Sequence, residues 1–299
     1  MKFSEILKNT NLVFAVFIIA GFILPAFADD LKMFLVPALM IMMAFSLVNF
    51  KFSELELKDL GNAFSLMGLN YIFLSGAYIG LAFLFVENPL YRNAMVVLGL
   101  MPPAVGIISL IYLLKGDINT GFIAEIMGYV FSLFIIPVFT MIFFSEAVTI
   151  TNIIRILVLV IVIPFLVSRI IVYINSKKQI LHEDIIEITV NLCYGFLFYI
   201  AIGVNIDVFL NNFMNLFDLI FVLIFLRFGI GLILYFIFRK KISHGHNVLC
   251  ILFGTFKNGS AGMAITVMLF GVEATVPYAI FSFVASFYIV FLKWLLGKN

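Results

Sequence analysis

Residues Phe253 to Gly262 read FGTFKNGSAG, which sets Lys257 and Asn258 among three glycines in a segment otherwise apolar enough to cross a bilayer. A lysine at the centre of a membrane helix costs at least ~2.5–3.5 kcal/mol on insertion scales, so an ionisable residue at this depth is a candidate functional site. Glycine weakens a helix because it loses the most backbone freedom on folding. The stretch therefore predicts a helix interrupted inside the membrane.

The composition indicates a polytopic helical membrane protein. Hydrophobic residues make up 64% of the chain and charged residues 11%, and the mean hydropathy is +1.21, values that exclude a soluble domain. Apolar segments of the length that a bilayer demands recur along the whole chain. We predict an all-α fold with ten transmembrane helices at residues 11–28, 32–50, 63–86, 93–115, 119–144, 152–174, 184–206, 215–238, 247–270 and 274–296.

The basic residues predict the orientation of these spans. Thirteen fall on one side of the predicted membrane and three on the other, so by the positive-inside rule both termini are cytoplasmic in an inner (plasma) membrane. The net charge of +2 reflects this topology and does not indicate a nucleic-acid partner. The thirteen are Lys2, Lys8, Lys51, Lys58, Lys115, Arg169, Lys177, Lys178, Arg239, Lys240, Lys241, Lys293 and Lys298; the three are Lys32, Arg92 and Arg155.

The two halves of the chain resemble each other. A shift of 155 residues lays Gly99–Asp117 on Gly254–Val272, so that the Pro102-Pro103 pair aligns with Lys257-Asn258 and Gly116 with Gly271. Equivalent spans are five places apart along the chain, and an odd offset inverts the second half in the membrane. We therefore predict two inverted five-helix repeats, residues 1–148 and 149–299, an arrangement typical of secondary transporters.

The aligned breaks predict a binding site. Pro102 and Pro103 remove backbone donors, and the glycines near Lys257 weaken their helix, so each break frees backbone groups at mid-depth. Such groups must face protein, water or ligand. Two interrupted helices in equivalent places of inverted halves point to a substrate site, although a pair of packing kinks is the alternative explanation.

The motifs at these breaks resemble those of the bile acid:sodium symporter family. MPPAVGIISLIYLLKGD (101–117) resembles its fourth-helix signature, VPALMIMMAFSLVNFKFSEL (36–55) its second helix, and KNGSAGMA (257–264) the position of its Gln-Asn motif. LFGVEATVPYAIF (269–281) also resembles the related auxin-efflux-carrier permeases. The resemblance implies a panel domain of helices 1, 2, 6 and 7, and a core domain of helices 3–5 and 8–10. Helices 4 and 9 would cross in the core, with the substrate between the two domains.

The sodium ligands that the resemblance implies are mostly missing. A Ser-Asn pair of the family falls on Ile107 and Ile108, which have no side-chain oxygen, and a Glu falls on Phe253. The family's Gln falls on Lys257; Asn258 and Asn70 keep amide oxygens. Hard cations need several oxygen ligands, so a sodium pair of the family type is not expected.

Glu125 and Lys257 fall at the two positions that flank these lost sodium sites. A carboxylate and an ammonium in low dielectric are favourable partners, so we expect a charge pair, supported by Asn70. Lys257 would then supply the positive charge of the missing ion, and the pair could exchange a proton during transport. A static ion pair that holds the crossing together is the alternative. Arg227 is either a further charge of the core or a side chain that reaches the cytoplasmic surface.

The sequence thus predicts a secondary transporter of a small organic anion that works by alternating access, coupled to protons or uncoupled. Sodium-coupled symport and a uniport-like facilitator of the auxin-efflux type remain alternatives. No histidine cluster, nucleophile–base pair or metal spacing lies in the spans, so neither an enzyme nor a resident cofactor is expected. The predicted site comprises Lys257, Asn258, Ser260, Pro102, Pro103 and Ser109, with Glu125 and Asn70 in support.

Overall fold

The chain is predominantly helical in the part described by a computed structural model, which covers residues 3–49, 59–104, 106–144, 149–178, 181–211 and 213–296; no strand occurs in these ranges. Short helical turns connect the longer helices at Pro25–Phe27, Ala28–Leu31, Lys32–Phe34, Leu47–Asn49, Ile206–Asn211 and Phe213–Leu216. The longer helices are α1 (Phe3–Lys8), α2 (Thr10–Ile23), α3 (Leu35–Ser46), α4 (Leu60–Phe85), α5 (Pro89–Leu100), α6 (Ile107–Leu113), α7 (Ile118–Phe144), α8 (Thr151–Ser176), α9 (Glu183–Val204), α10 (Phe217–Phe238), α11 (His244–Phe253), α12 (Gly259–Phe270) and α13 (Val272–Leu296).

Six helices in these ranges are long and apolar enough to cross a bilayer: α4, α7, α8, α9, α10 and α13. A seventh span results if Leu12–Ile23 and Pro25–Ser46, which meet at an angle of 93°, are taken together. Helices of this length and apolarity are membrane spans, so the chain is an integral membrane protein. The remaining predicted spans coincide with shorter or interrupted helices, and the count of ten stays a prediction. Lys2, Lys51, Lys58 and Lys298 of the basic-residue pattern lie outside the described residues.

The helices pack in two groups. Helix α9 lies along both α2 and α3, and α8 packs on α3. In the second group, α4 packs on α5, α7 and α10, while α10 contacts α11 and α13. Helix α12 lies against α5 and also touches α3. The interrupted helices therefore sit among α3, α4 and α10.

Three helices contain a π-helical turn, in which backbone hydrogen bonds span five residues. These turns are Leu69–Leu74 in α4, Val158–Val162 in α8 and Phe225–Gly229 in α10. A π turn changes which residues share a helix face and is frequently found at functional sites. Two of these turns carry buried polar side chains, Asn70 and Arg227.

Glycines allow the closest helix contacts. A Cβ atom built on Gly203 of α9 would lie 2.5 Å from the Cβ of Ala28, whereas one built on Gly76 of α4 meets nothing within 4 Å. Small residues of this kind let membrane helices approach backbone to backbone.

We predict that Gly203→Ala lowers the stability of the protein by about 1–3 kcal/mol, because overpacking forces the backbone apart. The matched variant Gly76→Ala should be neutral or slightly stabilising, since it only restricts the unfolded chain. Thermal unfolding midpoints in detergent measure both. Equal midpoints for the two variants would contradict the packing of α9 on the Ala28 turn.

Candidate functional site

The two predicted interruptions are present and meet. Helix α5 begins with Pro89 behind the capping side chain of Asn88 and ends at Leu100, just before the two prolines. Helix α11 ends at Phe253, and α12 begins at Gly259, capped by the side chain of Asn258. The backbone N–H of Asn258 donates to the carbonyl of Pro102 at 2.8 Å. One break therefore supplies the hydrogen-bond partner that the other lacks, and we call the place where the two breaks meet the crossing.

The amine of Lys257 is enclosed by four oxygen atoms. It lies 2.9 Å from Oδ1 of Asn70, 3.0 Å from the Asn70 carbonyl, 2.9 Å from Oγ of Ser75 and 3.0 Å from the Met101 carbonyl. The centre of the Tyr71 ring lies 4.8 Å away. The side chain is only 1% exposed. We call Asn70, Ser75, Met101 and Lys257 the ammonium cage.

The two side chains that accept from Lys257 are oriented as acceptors by their other hydrogen bonds. The amide nitrogen of Asn70 donates to the carbonyls of Phe253 and Phe256, which leaves its oxygen to face Lys257. The hydroxyl of Ser75 donates to the carbonyl of Gly99 at 2.6 Å and so presents a lone pair to the amine. The π turn of α4 brings Asn70 and Ser75, five residues apart, to the same point.

The hydrogen bonds of the cage compensate for the burial of the amine. Hydrogen bonds to a charged group contribute about 1.5–3 kcal/mol each, so two of them offset an insertion cost of ~2.5–3.5 kcal/mol. An ammonium has three N–H groups for four acceptors, so its donors are all engaged. The cage therefore gives every N–H group of a Lys257 ammonium an oxygen partner without a carboxylate.

Asn258 and Ser260 extend the polar site toward α3. Oδ1 of Asn258 accepts from Oγ of Ser260 at 2.7 Å and from the backbone N–H of Ala261 at 3.0 Å. Its amide nitrogen donates to the hydroxyl of Tyr129 on α7 at 2.9 Å. Ser260 is partly exposed, and its hydroxyl lies 3.7 Å from the sulfur of Met43 on α3.

The expected charge pair between Glu125 and Lys257 is not formed. Glu125 is 1% exposed, yet neither of its carboxyl oxygens has a hydrogen-bond partner, and no ion pair within 4.0 Å joins it to Lys257. The pairing was expected because the two groups carry opposite charge. Instead, the side chain of Lys257 places its amine among four neutral oxygens of α4 and of the α5–α6 break. Of the expected partners, Asn70 contacts Lys257 and Glu125 does not.

The remaining predicted residues divide between the crossing and the surface. Pro102 and Pro103 are buried at the crossing. The ring of Pro103 packs on Gly128 of α7, where an added Cβ would lie 2.6 Å from the proline Cδ. Ser109 lies exposed on α6 and makes no hydrogen bond to Lys257 or Asn258.

The sequence allowed Arg227 to be either a charge of the core or a side chain that reaches the surface. In the structure it is buried, with 1% of the residue exposed. The guanidinium lies between two aromatic rings, 4.3 Å from the centre of Phe256 and 4.2 Å from that of Phe281. Its Nη1 donates to the Thr255 carbonyl at 2.9 Å, while its Nε has no partner. Arg227 and Asn70 thus bind the free carbonyls of the α11–α12 break from opposite helices.

Ser75, Tyr71 and Tyr129 are site residues that the sequence analysis missed. Ser75 and Tyr71 stand out only as polar residues near Asn70 in an apolar helix, since a π turn has no recognisable pattern here. Tyr129 follows Glu125 by one helical turn, a spacing that could have marked it.

Comparison with known proteins adds no family assignment: no protein-family model matches the chain, and no curated protein matches it. The resemblance to bile acid:sodium symporters therefore remains a prediction from its motifs.

We predict that Lys257→Met lowers stability by at least about 2 kcal/mol. The variant leaves the cage oxygens without their donor, and each buried unsatisfied polar group costs about 1–3 kcal/mol. Thermal unfolding in detergent measures the loss, with the exposed Lys293→Met as the matched control. Equal unfolding midpoints would show that the cage contributes no stability.

Arg227→Lys should lower stability by about 1–2 kcal/mol although it keeps the charge, because an ammonium cannot stack between Phe256 and Phe281 as a planar guanidinium does. The exposed Arg155→Lys serves as the control and should unfold like the wild type. The same thermal measurement applies, and a loss in the control as large as that at Arg227 would refute the role of the aromatic pair.

Proposed function

We propose that the chain is a secondary transporter of a small organic anion, in which the Lys257 ammonium takes the place of a coupling sodium ion. The observation that carries the proposal is the ammonium cage at the point where two interrupted helices meet. Interrupted helices that meet inside the membrane form the substrate and ion sites of many such transporters.

The ligands of the cage have the chemistry of a cation site. Backbone carbonyls, an amide oxygen and a hydroxyl are ligands that hard cations take in proteins. Here they surround an amine at 2.9–3.0 Å. The position also falls on a sodium-binding Gln of the family that the sequence resembles. These facts support a tethered cation that replaces a dissociable one.

Helix boundaries support the inverted repeat. Shifted by 155 residues, the π turn Leu69–Leu74 of α4 falls on 224–229, and the π turn of α10 occupies Phe225–Gly229. The same shift carries the start of α5, Pro89, onto the start of α11, His244. It also carries Gly116, after the left-handed Lys115, onto Gly271, where φ is +87°.

The packing of the helices supports a panel and a core. Helices α2, α3, α8 and α9 form the group that corresponds to the predicted panel. A cavity of about 680 Å³ lies between α2 and α9 on one side and α10 and α13 on the other. Apolar side chains line it, among them Phe22, Phe228 and Phe283. Phe283 is 55% exposed, so the cavity is an open groove at the boundary along which the panel would move against the core.

Buried charge favours an anionic substrate. Among the Asp, Glu, Lys and Arg side chains that the structure describes, only those of Glu125, Arg227 and Lys257 are buried. Two cations against one carboxyl leave the interior positive whether or not Glu125 is ionised. A positive charge with few counter-ions in low dielectric attracts anions strongly.

A thermal-shift screen tests this function. Organic anions are added to the purified protein with and without sodium, at two pH values, to the wild type, Lys257→Ala and Lys257→Gln. We expect at least one anion class to raise the wild-type midpoint independently of sodium, since a ligand at about 100 times its Kd adds about 2.7 kcal/mol.

The two variants make the ion replacement testable. In Lys257→Gln the cage oxygens lose the amine and gain an amide oxygen, so stabilisation by the anion should come to depend on sodium. In Lys257→Ala stabilisation by the anion should be lost. Stabilisation of the wild type by sodium would refute the replacement. The absence of any stabilising anion would refute the transport function.

A further inference from the structure

Glu125 is a buried acid that the ammonium cage does not use. It is the only carboxyl group that is buried in the described residues, and both of its oxygens lack hydrogen-bond partners. The other described Asp and Glu side chains are exposed or partly exposed. A buried polar group without a partner calls for a physical explanation.

The surroundings of Glu125 favour a neutral carboxyl group. An isolated carboxylate in an apolar interior is so costly that such a group takes up a proton instead. Neither buried cation compensates it, because Lys257 is satisfied within its cage and Arg227 is stacked between Phe256 and Phe281, and no ion pair within 4.0 Å joins either to Glu125.

The titratable groups around helix α7 supply no counter-charge either. Tyr129 lies close to Glu125 on the same helix, and Tyr71 of α4 donates its hydroxyl proton to the Gly128 carbonyl at 2.6 Å. Three further helices pack on α7. Tyr91 and Arg92 lie near the start of α5, Tyr112 near the end of α6, and Arg155 near the start of α8. No ion pair joins any of them to Glu125 in the described residues.

From this geometry we infer that Glu125 is the proton-binding residue that couples anion transport to a proton gradient, while Lys257 stays permanently charged. The inference rests on the proposed transport function and deepens it. One proton binds a carboxylate oxygen of Glu125 from water on the side where the anion enters. The same O–H bond breaks on the other side and returns the proton to water.

Electrostatics sets the direction of coupling. With Glu125 protonated, Arg227 and Lys257 leave two uncompensated positive charges; with Glu125 ionised, they leave one. The anion therefore binds more tightly to the protonated form, and by linkage the bound anion favours protonation by the same factor. Proton and anion then move in the same direction, as in symport.

A polar connection joins the neighbourhood of Glu125 to the exposed edge of the site. Tyr129, beside Glu125, accepts from Asn258, and Asn258 accepts from the partly exposed Ser260. A ligand that displaces Ser260 therefore reorients Asn258 and changes the hydrogen bond to Tyr129. This gives the anion a structural route as far as Tyr129, the neighbour of Glu125, and an electrostatic one to the acid itself.

Infrared difference spectroscopy tests the protonation itself without a substrate. The purified protein is reconstituted in vesicles of phosphatidylethanolamine and phosphatidylglycerol and compared between neutral and alkaline pH, in H2O and D2O. We expect the wild type at neutral pH to show a C=O stretching band of a protonated carboxyl group that shifts in D2O. The band should be lost in Glu125→Gln and kept in Glu87→Gln, which changes an exposed glutamate.

A misfolded Glu125→Gln variant would also lose the band, so Glu125→Asp is measured as a control. This variant keeps a carboxyl group at the position and should show the band at a shifted frequency. A neutral-pH spectrum without the band, or an unchanged band in Glu125→Gln, would overturn the inference.

Transport in the same vesicles separates this inference from the proposed function. With an anion that the thermal-shift screen identifies, an inward proton gradient should drive accumulation in the wild type, and Glu125→Gln should reduce accumulation to the level reached without a gradient. If anions are exchanged but the variant still accumulates them, the role of Glu125 is wrong and the transport function stands. If no anion is exchanged while the carboxyl band is present, the transport function is wrong, and the coupling role with it.

Discussion

The structure of the crossing depends on one ammonium group and its four oxygen neighbours. Lys257 draws together the π turn of α4, the end of α5 and the α11–α12 break, segments far apart in the chain. In hydrocarbon each of these oxygens would be costly without a donor, and the amine would be costly without acceptors. Because each compensates the other, two broken helices are stable in the interior of a membrane protein, where continuous helices are the rule.

Side chains from two different helices donate hydrogen bonds to the carbonyls of the α11–α12 break. Asn70 on α4 binds the carbonyls of Phe253 and Phe256, and Arg227 on α10 binds that of Thr255. Both side chains lie on π turns. Backbone that leaves its own helix thus finds partners on neighbouring helices, which is the condition for irregular structure inside a membrane.

The sequence revealed the anomaly of Lys257 and the two breaks, because proline, glycine and lysine are conspicuous in apolar segments. It could not reveal the partner of Lys257. Opposite charge favoured Glu125, whereas a π turn without a sequence pattern placed Asn70 and Ser75 at the amine. Arg227 was ambiguous for a related reason: whether a long cationic side chain stays buried depends on which aromatic rings surround it, and Phe256 and Phe281 come from other segments. The inverted repeat stays a prediction, because the sequence identity between the two halves is low.

The stacking of Arg227 has a mechanical consequence. Because its guanidinium is held between Phe256 of the break and Phe281 of α13, a shift of the break relative to α10 or α13 would open an aromatic stack as well as a hydrogen bond. These segments therefore behave as one stiff block. The contact with α3 is different, since there the Met43 thioether meets the hydroxyl of Ser260. Unbranched, polarizable side chains repack at low cost, so sliding is easiest where the block meets α3.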